Sequence, residues 1–131
     1  MPREAYRQRI LDVADPSGIE TPGLVDDLIA YLPTAAAWDF LAGYATRQWL
    51  TVTDAVIPAS WAGIVANAPP GSLADGTSAV TLTGVRHRAG VWEGDPVQER
   101  FSVELTVFVV CEPTYPTCHV LRLSAPGTAL R

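Results

Sequence analysis

Two histidines, two cysteines and scattered carboxylates are the residues of this 131-residue chain with chemistry to offer. His87 stands between Arg86 and Arg88, where it could bind an anion or move a proton if partners converged on it. Without partners the triplet is a strand carrying two solvated arginines and one inward imidazole, and this plainer reading is the stronger one. Cys118 and His119 are adjacent, but neighbours on a strand point to opposite faces and make a poor nucleophile–base dyad. The four residues also lack zinc-ligand spacing, so neither a metal nor a cofactor is expected. Asp26 and Asp27 read as the solvent face of a helix. Asp39 falls in a first helical turn, where the dipole favours a carboxylate. Asp54 precedes an apolar stretch and could line a pocket. No phosphate loop, dinucleotide fingerprint, nucleophile elbow or metalloprotease helix occurs. Enzyme activity is left open and disfavoured.

Cys111 and Cys118 bracket the turn 112–117 and invite a disulfide, although two free buried thiols fit the sequence equally. The register argues both ways. If the cysteines pair, Val107 faces Arg122. If the register slips by one, Val107 pairs with Leu123 and Val109 with Leu121, which matches the apolar faces better but leaves the cysteines diagonal.

The elements that must position these residues fall into two groups. Towards the C-terminus three strands form an antiparallel meander. Residues 101–111 alternate Phe101, Val103, Leu105, Val107 and Val109 with Ser102, Glu104 and Thr106, the period of a half-buried strand. The alternation fails at Phe108, Val110 and Cys111, which predicts cover on both faces or a subunit contact. Residues 78–92 form the preceding strand, with a parity change at Gly84 that predicts a bulge and a bend. Residues 93–96 turn the chain, and residues 119–124 complete the meander.

The N-terminal part reads as helices over residues 3–14, 22–32, 34–49 and 58–67. Thr21 and Pro22 stand as N-cap and first residue of the second helix. The third, capped by Thr34, carries Trp38, Leu41, Ala45 and Trp49 at helical spacing. Residues 50–52 suggest a short edge strand. Trp38, Trp49 and Trp61 sit at core spacing, with Ile64 and Val65 inward beside Trp61, whereas Trp92, next to a turn, is a candidate for exposed contact.

Length and composition indicate one globular domain over residues 1–131, with residues 1–20 as a peripheral helix and 127–131 as a tail. A formal net charge of -5 argues against nucleic acid or an anionic membrane as partner. All nine basic residues are arginine, which reflects base composition more than function. No run of apolar residues is long enough to span a membrane, and the first ten residues do not read as a signal peptide.

The order of helices followed by a long bent antiparallel sheet resembles a cone-shaped α+β domain of the nuclear transport factor 2-like type. The stretch from Pro33 to Trp49, PTAAAWDFLAGYATRQW, resembles the main helix of extracytoplasmic domains in actinobacterial conjugation and type IV secretion scaffold proteins. That resemblance implies a small-residue helix with spaced aromatics packed across the sheet. It also implies a non-enzymatic assembly or scaffold role in an envelope-associated system, through self-association or protein partners. An oxidised Cys111–Cys118 pair would suit an extracytoplasmic setting. The chain departs from the family in lacking a membrane anchor and in its first two helices.

Two other readings stand beside this one. A small-molecule enzyme or binder of the isomerase or dehydratase kind would use the cone, with Tyr44, Asp54 and His87 as its groups. A virion structural part, such as a head–tail joining protein, would form rings. Trp92, Phe108 and Val110 are the expected contact residues for assembly.

Overall fold

A computed structural model describes residues 3–131. Among these, four helices precede or interrupt a four-stranded antiparallel open sheet, an α+β arrangement. In chain order the elements are α1 (Arg3–Leu11), α2 (Thr21–Ile29), α3 (Ala35–Ala42), β1 (Arg47–Val56), α4 (Trp61–Asn67), β2 (Thr77–Trp92), β3 (Asp95–Val110) and β4 (His119–Leu123). The strands are neighbours in sequence order, β1-β2-β3-β4. No helix among the described residues is long and apolar enough to cross a membrane.

The β2–β3 ribbon is the spine. Its pairing runs unbroken from Thr77↔Val110 to Trp92↔Asp95. Only Glu93 and Gly94 lie outside it, and both adopt positive φ, 50° and 82°. That is the two-residue turn whose twist matches a right-twisted ribbon. The turn is therefore tighter than the expected 93–96, and β3 begins six residues before Phe101.

Gly84 is a meeting point of strands, though β2 itself stays in register there. The extra residue is Thr53 of β1, between the pairs Val52↔Gly84 and Asp54↔Thr83. Gly84 is buried, and a Cβ on it would collide with the Thr51 carbonyl oxygen. Glycine is needed for this close backbone approach.

The β3–β4 hairpin adopts both candidate registers in turn. Val107↔Leu123 and Phe108↔Arg122 follow one, then a shift brings Val109↔Val120 and Val110↔His119 into the other. Leu121 is the surplus residue. The bulge lets the apolar faces match at one end while Cys111 and Cys118 meet at the other, joined as a disulfide with Cα atoms 4.1 Å apart.

The third helix is shorter than its periodicity suggests. Thr34 caps it, its Oγ1 accepting from the Ala37 N–H at 3.1 Å, but it stops at Ala42. Ala45 then takes positive φ, 51°, and residues 47–49 are already in β1. Trp49 thus leaves the expected core stripe. It is 46% exposed and stacks on His87 with ring centroids 5.0 Å apart. The helix with the most extensive contact to the sheet is α2, along β4, rather than α3. Thr21 begins α2 without capping it; Glu20 is the cap residue, and its side chain makes no capping bond. In α4, Trp61 is buried but Ile64 and Val65 are exposed, against the inward expectation.

The core is small. Leu24 and Leu28 of α2 are buried with Trp61, Ala79, Ala89 and Val110. Residues 127–131, expected as a tail, are tied back to the sheet. The Leu130 N–H donates to Thr106 Oγ1 at 2.8 Å, and Thr81 Oγ1 donates to the Leu130 carbonyl at 2.8 Å. Thr106 Oγ1 and Thr81 Oγ1 lie 2.9 Å apart. Because the Thr81 proton goes to Leu130, Thr106 is the donor to Thr81, and three groups satisfy one another in a ring.

Candidate functional site

The residues that converge come from the two ends of the chain. After α1, the backbone of residues 13–15 runs beside β4. The Val120 N–H donates to the Val13 carbonyl at 2.8 Å, and the Asp15 N–H donates to the Val120 carbonyl at 2.9 Å. Ala14 and Val120 form a parallel bridge. This pairing brings the Asp15 side chain against the 112–117 loop. The loop is itself fixed, by the disulfide at its base, by Thr114 Oγ1 donating to the Asp75 carbonyl, and by the Tyr115 N–H donating to the Cys111 carbonyl at 3.1 Å.

Tyr115 donates its phenol proton to Asp15 Oδ1 at 2.7 Å. Ser17 donates its N–H to Oδ1 at 3.1 Å and its hydroxyl to Oδ2 at 2.6 Å. Asp15 is only 9% exposed. Burial pushes its carboxyl up, but the bonds from Ser17 and Tyr115 outweigh burial and hold it below its ordinary range. The same bond raises the Tyr115 phenol. The ring of His119 meets Tyr115 edge-on at 5.0 Å, and its buried Nδ1 has no hydrogen-bond partner among the described residues.

A second polar group lies alongside. Arg122 donates from Nε and Nη2 to the two oxygens of Asp27, at 2.7 and 2.9 Å, a bidentate pair. The Leu123 N–H adds a third bond to Asp27 at 3.0 Å, and Arg122 Nη1 lies 3.5 Å from Glu20 Oε2. Gly23 of α2 makes room for the guanidinium, whose carbon would lie 2.6 Å from a Cβ there. The bonds from Arg122 hold the Asp27 carboxyl down against burial, and Asp27 raises the guanidinium. Asp27 is therefore not on the solvent face as its sequence neighbourhood suggests; only Asp26 is.

Between these groups opens a cavity of about 600 Å³. Its polar rim carries Asp15, Glu20, Tyr115 and Arg122, and its apolar wall carries Trp61, Leu73, Phe108, Val110 and Leu121. Trp61 and Phe108 have ring centroids 6.1 Å apart, inclined at 54°. The volume lies within the usual range for small-molecule sites. The apolar end of β3 is thus covered from within the chain: Val110 is buried, and Phe108 is half-buried against Trp61.

Tyr44, Asp54 and His87 do not converge. Tyr44 follows α3 and packs on Trp92 at 4.8 Å, beside the β2–β3 turn. His87 lies on β2 opposite Trp49, with Nε2 2.9 Å from Thr51 Oγ1. Asp54 is exposed on β1 opposite Thr83, where its Oδ1 accepts from the Ala55 N–H. The β2 partners of Trp49 and Asp54, His87 and Thr83, lie four positions apart, about 13 Å of strand. Trp92 is 51% exposed. No grouping of three or more metal-ligating side chains occurs among the described residues.

Sequence reasoning passed over Asp15, Tyr115 and Arg122. Asp15 and Tyr115 stand 100 positions apart, and no local spacing announces such a pair. The one signal was Asp15-Pro16-Ser17, whose aspartate can bind the backbone two residues on. Comparison of the chain with protein-family models, with curated proteins and with solved structures finds no match in any of the three.

Proposed function

We propose that this chain is a non-enzymatic assembly domain that works by covering its β1 side with protein, as a scaffold part of an envelope-associated conjugation or secretion system. The observation that carries the assembly reading is β1 itself. All ten of its residues are exposed, and they include Trp49, Leu50, Val52 and Val56. A long exposed edge strand with apolar side chains is a template for pairing with another chain.

Surface area points the same way. A compact monomer of 14.0 kDa exposes about 6,700 Å² by the usual scaling. This chain exposes 8434 Å², an excess of about 1,700 Å², about twice the roughly 800 Å² that one partner buries in a standard protein interface. The Cys111–Cys118 bridge is compatible with an oxidising compartment and supports a place outside the cytoplasm. The nuclear transport factor 2-like cone, and the family role attached to it, belong to the proposal.

Light scattering on the purified chain at high micromolar concentration tests it. A mass above that of one chain is expected, and Val52→Lys, which places a charge on the exposed edge, should return it to a monomer. A wild-type chain that stays monomeric and protects none of its β1 amides from exchange when mixed with extract of its host would refute the reading.

A further inference from the structure

The cavity beneath the 112–117 loop has a one-sided hydrogen-bonding character. Each hydroxyl on its wall carries one proton, and every one of those protons is directed to a protein acceptor. Ser17 and Tyr115 donate to the two oxygens of Asp15 at 2.6 and 2.7 Å. Thr77 donates to the Ala74 carbonyl at 2.7 Å, Ser72 to the Pro69 carbonyl at 2.6 Å, and Thr114 to the Asp75 carbonyl. What these groups present to the void is lone pairs.

The charges agree. Asp15 and Glu20 line the space, and the one cation there among the described residues, Arg122, has Nε and Nη2 on Asp27 and Nη1 towards Glu20. Asp27 and Glu20 on the guanidinium, with Asp15 elsewhere on the rim, leave a local excess of negative charge in a chain whose net charge is already -5. The same space is lined by the rings of Trp61 and Phe108 and by Leu73 and Leu121. Aromatic faces attract cations and apolar bodies alike.

From this we infer that the cavity is a binding site for a small amphiphilic amine: an aromatic or apolar body against Trp61 and Phe108, and an ammonium head donating towards Asp15 and Glu20. An anion meets an excess of like charge, and a neutral acceptor finds no free hydroxyl proton, only the two guanidinium N–H groups of Arg122 that Asp27 and Glu20 leave unused. The inference is independent of assembly through β1, because no residue of β1 lines this space.

Calorimetric titration of the full chain with three indoles of one body tests it: tryptamine, tryptophol and indole-3-propionate. Tryptamine is expected to bind at least about tenfold more tightly than tryptophol, with the propionate weaker still, and added salt should weaken the amine alone. Glu20→Gln should weaken tryptamine about fivefold. Leu73→Trp, a change at a partly exposed position that fills the cavity, should abolish binding while the amide spectrum of the sheet stays unchanged. Equal binding of the propionate or the alcohol, tryptamine binding undiminished by Leu73→Trp, or no tryptamine binding at ten millimolar would overturn the assignment. If Leu73→Trp fails to fold, Glu20→Gln decides: an unchanged tryptamine affinity overturns it.

Discussion

Replacing Asp27 by asparagine removes the charge that holds α2 to β4. The wild-type carboxylate accepts two bonds from Arg122 and one from the Leu123 N–H, and its side chain is 15% exposed. The asparagine oxygen can still serve Leu123, so the loss falls on the bidentate pair. A fully buried charged pair broken on one side costs about 3–5 kcal/mol. The Arg122 side chain is 42% exposed, so water compensates in part, and the expected cost is about 2 kcal/mol after that discount. In a domain of this size that lowers the melting temperature by about 6–8 °C. Asp26→Asn, one residue away and exposed, should change stability by less than about 0.5 kcal/mol.

The pH dependence gives the sharper readout. The Asp27 pKa is depressed in the folded state, so its contribution is complete above the unfolded carboxylate pKa and is lost as pH falls through the folded one. Urea titrations of wild type and Asp27→Asn should therefore differ at neutral pH and begin to converge only as pH falls below about 4. Two curves that coincide at pH 7, or a gap that persists undiminished at pH 2, would refute the view that this ion pair clamps the helix to the sheet.

Two further outcomes follow from the same geometry. Gly84→Ala forces a methyl group into the Thr51 carbonyl; it should cost about 1–3 kcal/mol, and hydrogen exchange should show faster opening of β1 than of β3. Tyr115→Phe removes one of the bonds that depress the Asp15 carboxyl, so its titration by NMR should move up, and stability should fall off at a higher pH than in wild type; an unmoved Asp15 would contradict the assignment.

The ribbon was readable because its signal is local. Alternation along residues 101–107 and the Glu93–Gly94 turn need no distant partner to be recognised. The helix from Thr34 was overextended because Trp38, Leu41, Ala45 and Trp49 satisfy a helical period by composition alone. Pairing with β2 decided otherwise for residues 47–49, where Trp49 meets His87, and Thr51, Val52 and Thr53 already favoured a strand. Asp27 looked solvated because adjacent aspartates on a helix usually are; its partner lies 95 positions away. The hairpin was ambiguous for a sound reason, since the chain uses both registers and inserts Leu121 between them. What stayed hidden was the site, whose Asp15 and Tyr115 meet only after the chain has folded end to end.

The two flanks of the sheet are not equivalent. Residues 13–15 already lie along β4, while β1 has no neighbour beyond it in the sheet order. β4, however, pairs only with Val107–Val110, so residues 95–105 of β3 leave a second backbone edge without a strand partner among the described residues, and strand addition has two places to occur. With an edge open on each side, growth by this route closes at a pair only where β1 meets β1, and joining β1 to the free part of β3 would propagate the sheet from chain to chain.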